Sequence, residues 1–302
     1  MRKNILITGV AGFIGSKVAQ KFLTKKYNVF GVDDLSTGKY KNIPKGVKFI
    51  KGDLSEKKII KLLPKNCYQI LHLAGQSSGE ISFENPIKDL RKNTESTLNL
   101  INYGINRKVS LFLYASSMSV YGNLDKKRLS ESNQCSPLSC YGTGKLASEN
   151  YLKVFSKQLP FLSLRMFNVY GPGQDMKNLQ QGMVSIYLAQ AIKNKKILVK
   201  GSLKRVRDFI FIDDVVEAWF KASLLKKGLN KCINIGSGHP VSVKQLLKLI
   251  TKKIKNTKLR ISKGTRGDQF YVCSNNNLLK KILNKKKFIS LDQGLNKFIS
   301  SL

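Results

Sequence analysis

Acidic residues are scarce in this chain. Only 18 Asp and Glu stand against 54 Lys and Arg in 302 residues, a formal net charge of +36. So large an imbalance raises the question of an anionic macromolecular partner. Arg is scarce too, at nine residues, and Lys runs from Lys3 to Lys297 with no basic block interleaved with aromatics. The charge therefore reads as a solvated lysine-rich surface whose field collects small anions, and nucleic acid is not the expected partner. Histidine is nearly absent: His72 and His239 cannot build a His-rich metal centre, and no metal is expected. The five Cys, at 67, 135, 140, 232 and 273, are odd in number and contain no C-x-x-C. That excludes a disulfide framework and predicts reduced thiols in the cytoplasm. No apolar run approaches the ~18 residues of a membrane span. The opening "MRKNILITGVAGFIG" has the basic-then-apolar order of a signal peptide, but it lacks a long apolar core and its glycines have a better explanation.

What is present is alternation. Short apolar runs at Asn4–Thr8, Asn28–Val32, Val47–Ile50, Gln69–Leu73, Ser110–Ala115 and Phe161–Met166 predict strands. Helical patterns at Ile14–Leu23, Glu56–Leu63, Ile87–Ile105 and Lys145–Phe155 lie between them. Continuously apolar strands separated by helices predict an α/β fold, a doubly wound parallel sheet with both faces covered. After Asn168 the regularity weakens. A helix is expected at Val184–Asn194, a strand at Ile197–Val199, a strand-to-helix passage in "DFIFIDDVVEAW" and a strand in "KCINIG". The last 65 residues show one basic amphipathic helix, Val243–Lys255, and a lysine-rich tail. The expected division is residues 1–168 as a dinucleotide-binding domain, with returning segments near 209–235, and residues 169–208 and 236–302 as a smaller substrate-binding α/β subdomain.

The first strand runs into "ITGVAGFIGS" and then a helix pattern. Gly9, Gly12 and Gly15 there serve a tight turn, close approach of a pyrophosphate, and packing of helix on strand. Phe13 and Ile14 open the helix, whose N-terminal N–H groups and dipole favour phosphate. Asp33 ends the second strand 18 residues after Gly15, where a carboxylate accepts from adenosine ribose hydroxyls and repels a 2′-phosphate. The cofactor expected is therefore NAD. Asp53 in "KGDLS" suits the adenine amino group, and equally an N-cap role for itself or Ser55.

In "SCYGTGKLASE", Tyr141 and Lys145 are four residues apart and share a helix face. An ammonium beside a phenol favours the phenolate, which would draw the Tyr141 pKa toward neutrality and allow proton exchange with a sugar hydroxyl. Ser116, Ser117 and Ser119 in "YASSMSVYG" place hydroxyls at a strand end upstream.

Together "TGVAGFIG", "VDDLSTG", "GDL", "HLAG", "YASSMSVYG", "YGTGK", "RMFNVYGPGQ", "RDFIFIDDVVEA" and "NIGSG", in that order from Gly9 to about Asp268, resemble the extended short-chain dehydrogenase/reductases of the NAD-dependent epimerase/dehydratase family, UDP-glucose 4-epimerases in particular. The resemblance implies a Rossmann domain and a Ser117/Tyr141/Lys145 catalytic set. In that set Ser117 holds the reacting hydroxyl, Tyr141 is the acid/base, and Lys145 binds the nicotinamide ribose. It implies that Leu54 flanks adenine, that Ala74 and Gly75 border the cofactor and that Asn93 faces it, while Tyr121 packs. Ser119, Asn168 and Arg207 would touch a nucleotide-diphosphate sugar, with Asp208 structural. The family's Arg-x-Gly-Asp becomes "TRGD" here, which leaves Arg266 in doubt as a second phosphate ligand. Val272 would line the sugar pocket, and a homodimer would form through the helices at Ile87–Ile105 and Lys145–Phe155.

Family dehydratases carry an Asp–Glu pair after the catalytic Ser/Thr, and decarboxylase relatives a Glu. Here Met118 and Ser119 stand there, with no acid to donate a proton. Redox without elimination remains, so an epimerase acting through a transient 4-keto sugar is expected. Alternatives are a CDP-sugar 2-epimerase, to which "GDQFYV" is similar, a 4-keto-sugar reductase, a dehydratase, and a non-catalytic RNA-binding relative.

Overall fold

The computed structural model describes residues 2–124, 128–179, 182–226, 229–264 and 269–302. Branched and aromatic residues in runs of a few positions form the strands, in chain order β1 Asn4–Thr8, β2 Asn28–Asp33, β3 Lys48–Lys51, β4 Gln69–His72, β5 Leu111–Ser117, β6 Phe161–Met166, β7 Asn168–Tyr170, β8 Lys196–Lys200, β9 Val206–Phe211, β10 Lys231–Ile235, β11 Pro240–Ser242 and β12 Lys258–Ser262. Seven of them form one sheet in the order β10-β6-β5-β4-β1-β2-β3, parallel at every pairing. All residues of β4 and β5 are buried, which is why these segments are apolar without alternation.

Two helical layers produce that burial. On one face Ile5, Ile7, Leu71 and Leu113 pack with Val18 and Phe22 of α1 (Phe13–Thr24) and with Val215 and Trp219 from the helix Ile212–Ser223. On the other face Leu6, Ile70, Phe112 and Tyr114 pack with Leu100, Ile101 and Leu152. The sheet is thus doubly wound. Strand order reverses between β1 and β4, which opens a crevice at the strand C-termini.

The expected long helix at Ile87–Ile105 is interrupted. Asn85 caps its start, accepting the Lys88 N–H at 2.9 Å ahead of Pro86. A wide π turn then spans Arg91–Glu95 before the helix resumes at Ser96–Asn106. The helix carrying Tyr141 begins at Cys140, capped by the Ser139 hydroxyl on the Gly142 N–H at 3.1 Å.

A smaller body lies beyond β6. In it β9 pairs in parallel with β7 and antiparallel with β11, and β8 pairs in parallel with β12. In the segment 209–235, the helix Ile212–Ser223 and β10 belong to the main sheet, whereas Phe209–Phe211 complete β9 in the smaller one. The C-terminal region holds more than one helix and a tail. Besides Val243–Lys253 it contains β12 and the helices Asn277–Leu283 and Leu291–Ile299. None of the five Cys is paired. Among the described residues no helix is long and apolar enough to cross a membrane, and no His/Cys/Asp/Glu cluster could hold a metal.

Candidate active site

A cleft of about 930 Å³ runs across the crevice, from the ends of β2 and β3 to the smaller body. Its floor is the glycine loop. Gly9 has φ +69°, and a Cβ there would come within 2.7 Å of the Ala74 nitrogen. A Cβ on Gly15 would come within 2.0 Å of the Gly9 carbonyl oxygen, so helix and turn touch backbone to backbone. Gly12 is the extended N-cap of α1 and offers no side-chain cap. The first-turn N–H groups, from Phe13 and Ile14 onward, lack helical acceptors and suit phosphate oxygens.

At the end formed by β2 and β3, Asp33 accepts from Ala11 N–H at 2.9 Å and Leu35 N–H at 2.8 Å. Burial pushes its pKa up, and these two amide bonds work against that shift. Asp53 accepts from Ser55 N–H at 3.0 Å and from Lys92 Nζ at 2.7 Å. Lys92 also pairs with Asp34, so one ammonium ties the ends of β2 and β3 to the π turn. Burial is the largest single influence on Asp34 and Asp53 and opposes their ionisation, but the hydrogen bonds and charge of Lys92, with the Ser36 and Ser55 hydrogen bonds, together outweigh it and both pKa values fall. Leu54 lines the same end. Lys39 reaches across to Asp175 at 2.8 Å, linking the loop after β2 to the loop after β7.

At the other end, β5 delivers Ser117 as its last residue, and the helix Cys140–Val154 delivers Tyr141 and Lys145. All three line the cleft beside Ala74, Gly75, Met118 and Ser119. The Ser117 hydroxyl donates to Ser119 Oγ at 3.1 Å and accepts the Ser119 N–H at 3.2 Å. A buried clamp fixes the helix to the sheet. Glu149 takes a bidentate bond from Arg165 of β6, at 2.9 and 2.6 Å, and the Ser116 hydroxyl at 2.6 Å. Lys145 Nζ lies 5.7 Å from the Tyr141 ring centre and 5.0 Å from that of Tyr114. Burial pushes Tyr141 up to about 12, with the neighbouring Ser117 hydroxyl opposing the shift. The expected drift toward neutrality is therefore not what the protein alone produces, because desolvation of the phenol dominates. Burial likewise lowers Lys145 to about 8, with Asp89 opposing.

Gly75 has φ +148°, and a Cβ there would meet Asn93 Oδ1 at 2.4 Å and Lys145 Nζ at 3.4 Å. Asn93 is thus wholly buried behind Gly75 rather than on the cleft wall. Its Nδ2 donates to Asp89 at 3.1 Å, while its Oδ1 has no hydrogen-bond partner. A turn with no room for a Cβ and a helix N-terminus without a cap, in one crevice, fit a dinucleotide.

Toward the smaller body, Asn168 and Arg207 line the cleft, and Asn168 Nδ2 donates to the Asp208 carbonyl at 3.3 Å. Asp208 is a structural hub: its carboxylate accepts from Ser237 N at 2.9 Å and Oγ at 2.6 Å, Gly238 N at 3.0 Å and Ser274 N at 3.0 Å. Arg205 lines the cleft as well and was not foreseen; its Nε donates to the Ser202 carbonyl at 3.1 Å. Val272 does not line the cleft; it is buried with Val120, Tyr121, Leu129 and Phe167. Arg266 lies outside the described residues. The charge of Asp89 on Lys145 and the pairings of His72 and Lys92 were also missed, since each is visible only once distant elements meet.

Glycine loop, ribose acid and a Ser/Tyr/Lys group in one crevice define an enzyme of the dinucleotide-dependent dehydrogenase type. Comparison with known proteins agrees. The model of the "NAD dependent epimerase/dehydratase family" matches residues 5–236. A putative UDP-glucose 4-epimerase of Methanocaldococcus jannaschii is 32% identical over 271 residues, covering 88% of this chain and 85% of that protein. UDP-glucuronic acid decarboxylase 1 of Xenopus tropicalis is 29% identical, covering 99% of this chain and 72% of its own length. The crystal structure of UDP-glucose 4-epimerase with UDP-glucose from Thermotoga maritima superposes with a TM-score of 0.93 at 31% identity, covering 99% and 98% of the two chains. The chain belongs to the NAD-dependent epimerase/dehydratase family and is an NAD-dependent enzyme of nucleotide-sugar chemistry.

Proposed function

We propose that the protein is a nucleotide-sugar epimerase, a UDP-hexose 4-epimerase that works through a transient 4-keto sugar. The observation that carries this reading is local. Ser117, Tyr141 and Lys145 line one end of the cleft, and the two residues after Ser117 are Met118, which lines the cleft, and Ser119, whose hydroxyl bonds Ser117. Neither of the two positions after Ser117 carries a carboxylate, which weighs against dehydration and decarboxylation. NAD, when bound, supplies the hydride acceptor and returns the hydride.

The chain's own residues do the rest. Ser117 orients the sugar 4-hydroxyl, and Tyr141 takes its proton and later gives it back. Because burial holds the phenol high, ionising Tyr141 requires positive charge beside it, and Lys145 is the ammonium at that spot. Arg207 and Asn168 anchor the diphosphate, an arrangement that fixes one end of the substrate and leaves the ketone free to turn. Gly9, Gly12, Phe13, Ile14 and Gly15 hold the cofactor phosphates, Asp33 the adenosine ribose, and Asp53 and Leu54 the adenine end. Residues 169–208 and 236–302 form the substrate side, and the free thiols suit a cytoplasmic location. A homodimer belongs to the same reading: Ile87 at 63% and Val154 at 72% exposure leave apolar surface on the helices expected to pair.

The test is to incubate the protein and NAD with UDP-glucose, UDP-N-acetylglucosamine, UDP-glucuronate and dTDP-glucose, and read product stereochemistry by NMR. C4 epimers support the reading. Loss of water or carbon dioxide from any of them would replace it.

A further inference from the structure

His72 ends β4 and takes no part in the chemistry proposed above. Its ring is fully buried, 6.0 Å from that of Phe112 and 5.7 Å from that of Tyr114. The neighbours determine where its proton sits. Thr8 Oγ1 accepts the Ala74 N–H at 3.0 Å and the Leu73 N–H at 3.1 Å, the latter shared with the Thr8 carbonyl at 3.3 Å. A hydroxyl oxygen has two acceptor positions, and these donors fill both. The Thr8 proton therefore goes to His72 Nδ1, 2.7 Å away. With Nδ1 an acceptor, a neutral ring carries its proton on Nε2. Nε2 then donates to Thr97 Oγ1 at 3.1 Å, and the Thr97 proton goes on to the Asn93 carbonyl at 2.6 Å. That carbonyl also shares the Ser148 hydroxyl proton, at 3.1 Å, with the Gly144 carbonyl at 2.9 Å; Ser148 lies on the helix that carries Tyr141 and Lys145.

A second proton on the ring has no place. Nδ1–H would face an oxygen whose acceptor positions are taken. Burial, helped by the charge on Lys145, pushes the imidazole down to about 3. The chain of bonds joins the turn at Leu73 and Ala74, next to Gly75, to the π turn whose Asn93 side chain aims Oδ1 at Gly75. Within this π turn the Asn93 carbonyl accepts two side-chain hydroxyls.

We propose that His72 is a positioning residue for the nicotinamide end of the site: a neutral imidazole protonated only on Nε2 locks the Leu73–Gly75 turn to the π turn of Asn93, and through Ser148 to the helix of Tyr141 and Lys145. This rests on the reading of the site given under Proposed function. Removing a link leaves Asn93 and Gly75 free to shift relative to each other, so the effect falls on cofactor retention.

Two measurements test it. In long-range ¹H–¹⁵N spectra of the full-length protein, which has only two histidines, His72 should show the Nε2–H tautomer, unchanged from about pH 5 to pH 8. An Nδ1–H form, a tautomer mixture, or titration in that range would overturn the assignment. In the second, Thr97→Val should release NAD about tenfold faster than wild type, the scale of one hydrogen bond, with the KM for nucleotide sugar little changed. Thr97→Ser should restore retention, a rescue that simple packing would not give. Equal NAD retention in Thr97→Val and wild type would overturn the positioning role. A wild-type protein that binds no NAD would bring down the reading of the site and this role with it. A wrong tautomer brings down this inference alone.

Discussion

The two ends of the cleft are built from different materials. The end at β2 and β3, proposed for the adenosine, is held by ions that water still reaches: Lys92 between Asp34 and Asp53, with side chains about a fifth exposed, and Lys39 on Asp175, more exposed still. The end proposed for the nicotinamide is held by buried groups: bonds through Thr8, His72, Thr97, Asn93 and Ser148, and the Glu149–Arg165 pair behind the Tyr141 helix. Ion pairs in contact with solvent tolerate small displacements and are screened by salt. A buried hydrogen-bond network, cut off from solvent, tolerates displacement or loss of a member far less. Cofactor chemistry needs tight geometry where the hydride moves and only tethering at the far end, and the division of materials follows that need.

The comparison can be broken by substitution at either end. The largest expected effect is at the phenol. Tyr141→Phe should lower kcat by about a hundred- to ten-thousand-fold while NAD stays bound, read by steady-state kinetics and cofactor content. Next comes Gly15→Ala. Its Cβ would fall 2.0 Å from the Gly9 carbonyl, so the loop has to move, and thermal melting should report destabilisation of about 1–3 kcal/mol with NAD content lost. A variant with native melting and full cofactor would contradict the backbone contact.

Asp89→Asn probes the buried charges. Lys145 is lowered to about 8 by burial, and Asp89 is the group that raises it. The ammonium is complete below that value and is lost as pH rises through it. Removing the carboxylate lowers the Lys145 pKa further, so the alkaline limb of NAD binding should move to lower pH; a limb that stays put would exclude Asp89 as its counter-charge. At the adenosine end, Lys92→Met should weaken NAD binding by about five- to tenfold and leave the remaining affinity less sensitive to salt, measured by titration calorimetry. Smallest is Lys39→Ala, an exposed pair worth about twofold at low salt. If Lys39→Ala outweighed Lys92→Met, the adenosine end would be closed mainly by the strap from the smaller body.

Legibility in the sequence follows the same divide. Gly9, Gly12 and Gly15, the acid at Asp33, and the four-residue spacing of Tyr141 and Lys145 are local patterns, and a single strand–turn–helix or one helix turn displays each. The parallel sheet was legible because its central strands are apolar through most of their length. The partnership of Lys92 with Asp34 and Asp53, and the relay through His72, span 25 to 64 residues in sequence where side chains bond, and no local spacing announces them. Asp53 read as an adenine ligand or a cap because its ammonium partner lies 39 residues away. The π turn left no mark in the periodicity of Ile87–Ile105, since one extra residue within a long helix barely disturbs it. The helix at Leu291–Ile299 had a signal: Ser290 and Gln293 form a capping box ahead of Leu295 and Phe298. The surrounding lysines hid it by making the region read as a solvated tail.

The most direct test of the central claim uses UDP-glucose deuterated at C4, incubated with the protein and its bound NAD. The account predicts UDP-galactose that keeps deuterium at C4, because the hydride leaves and returns within one closed site. Product that has lost the label to solvent, or no C4 inversion with any nucleotide sugar while Tyr141 and Lys145 are intact, would contradict it.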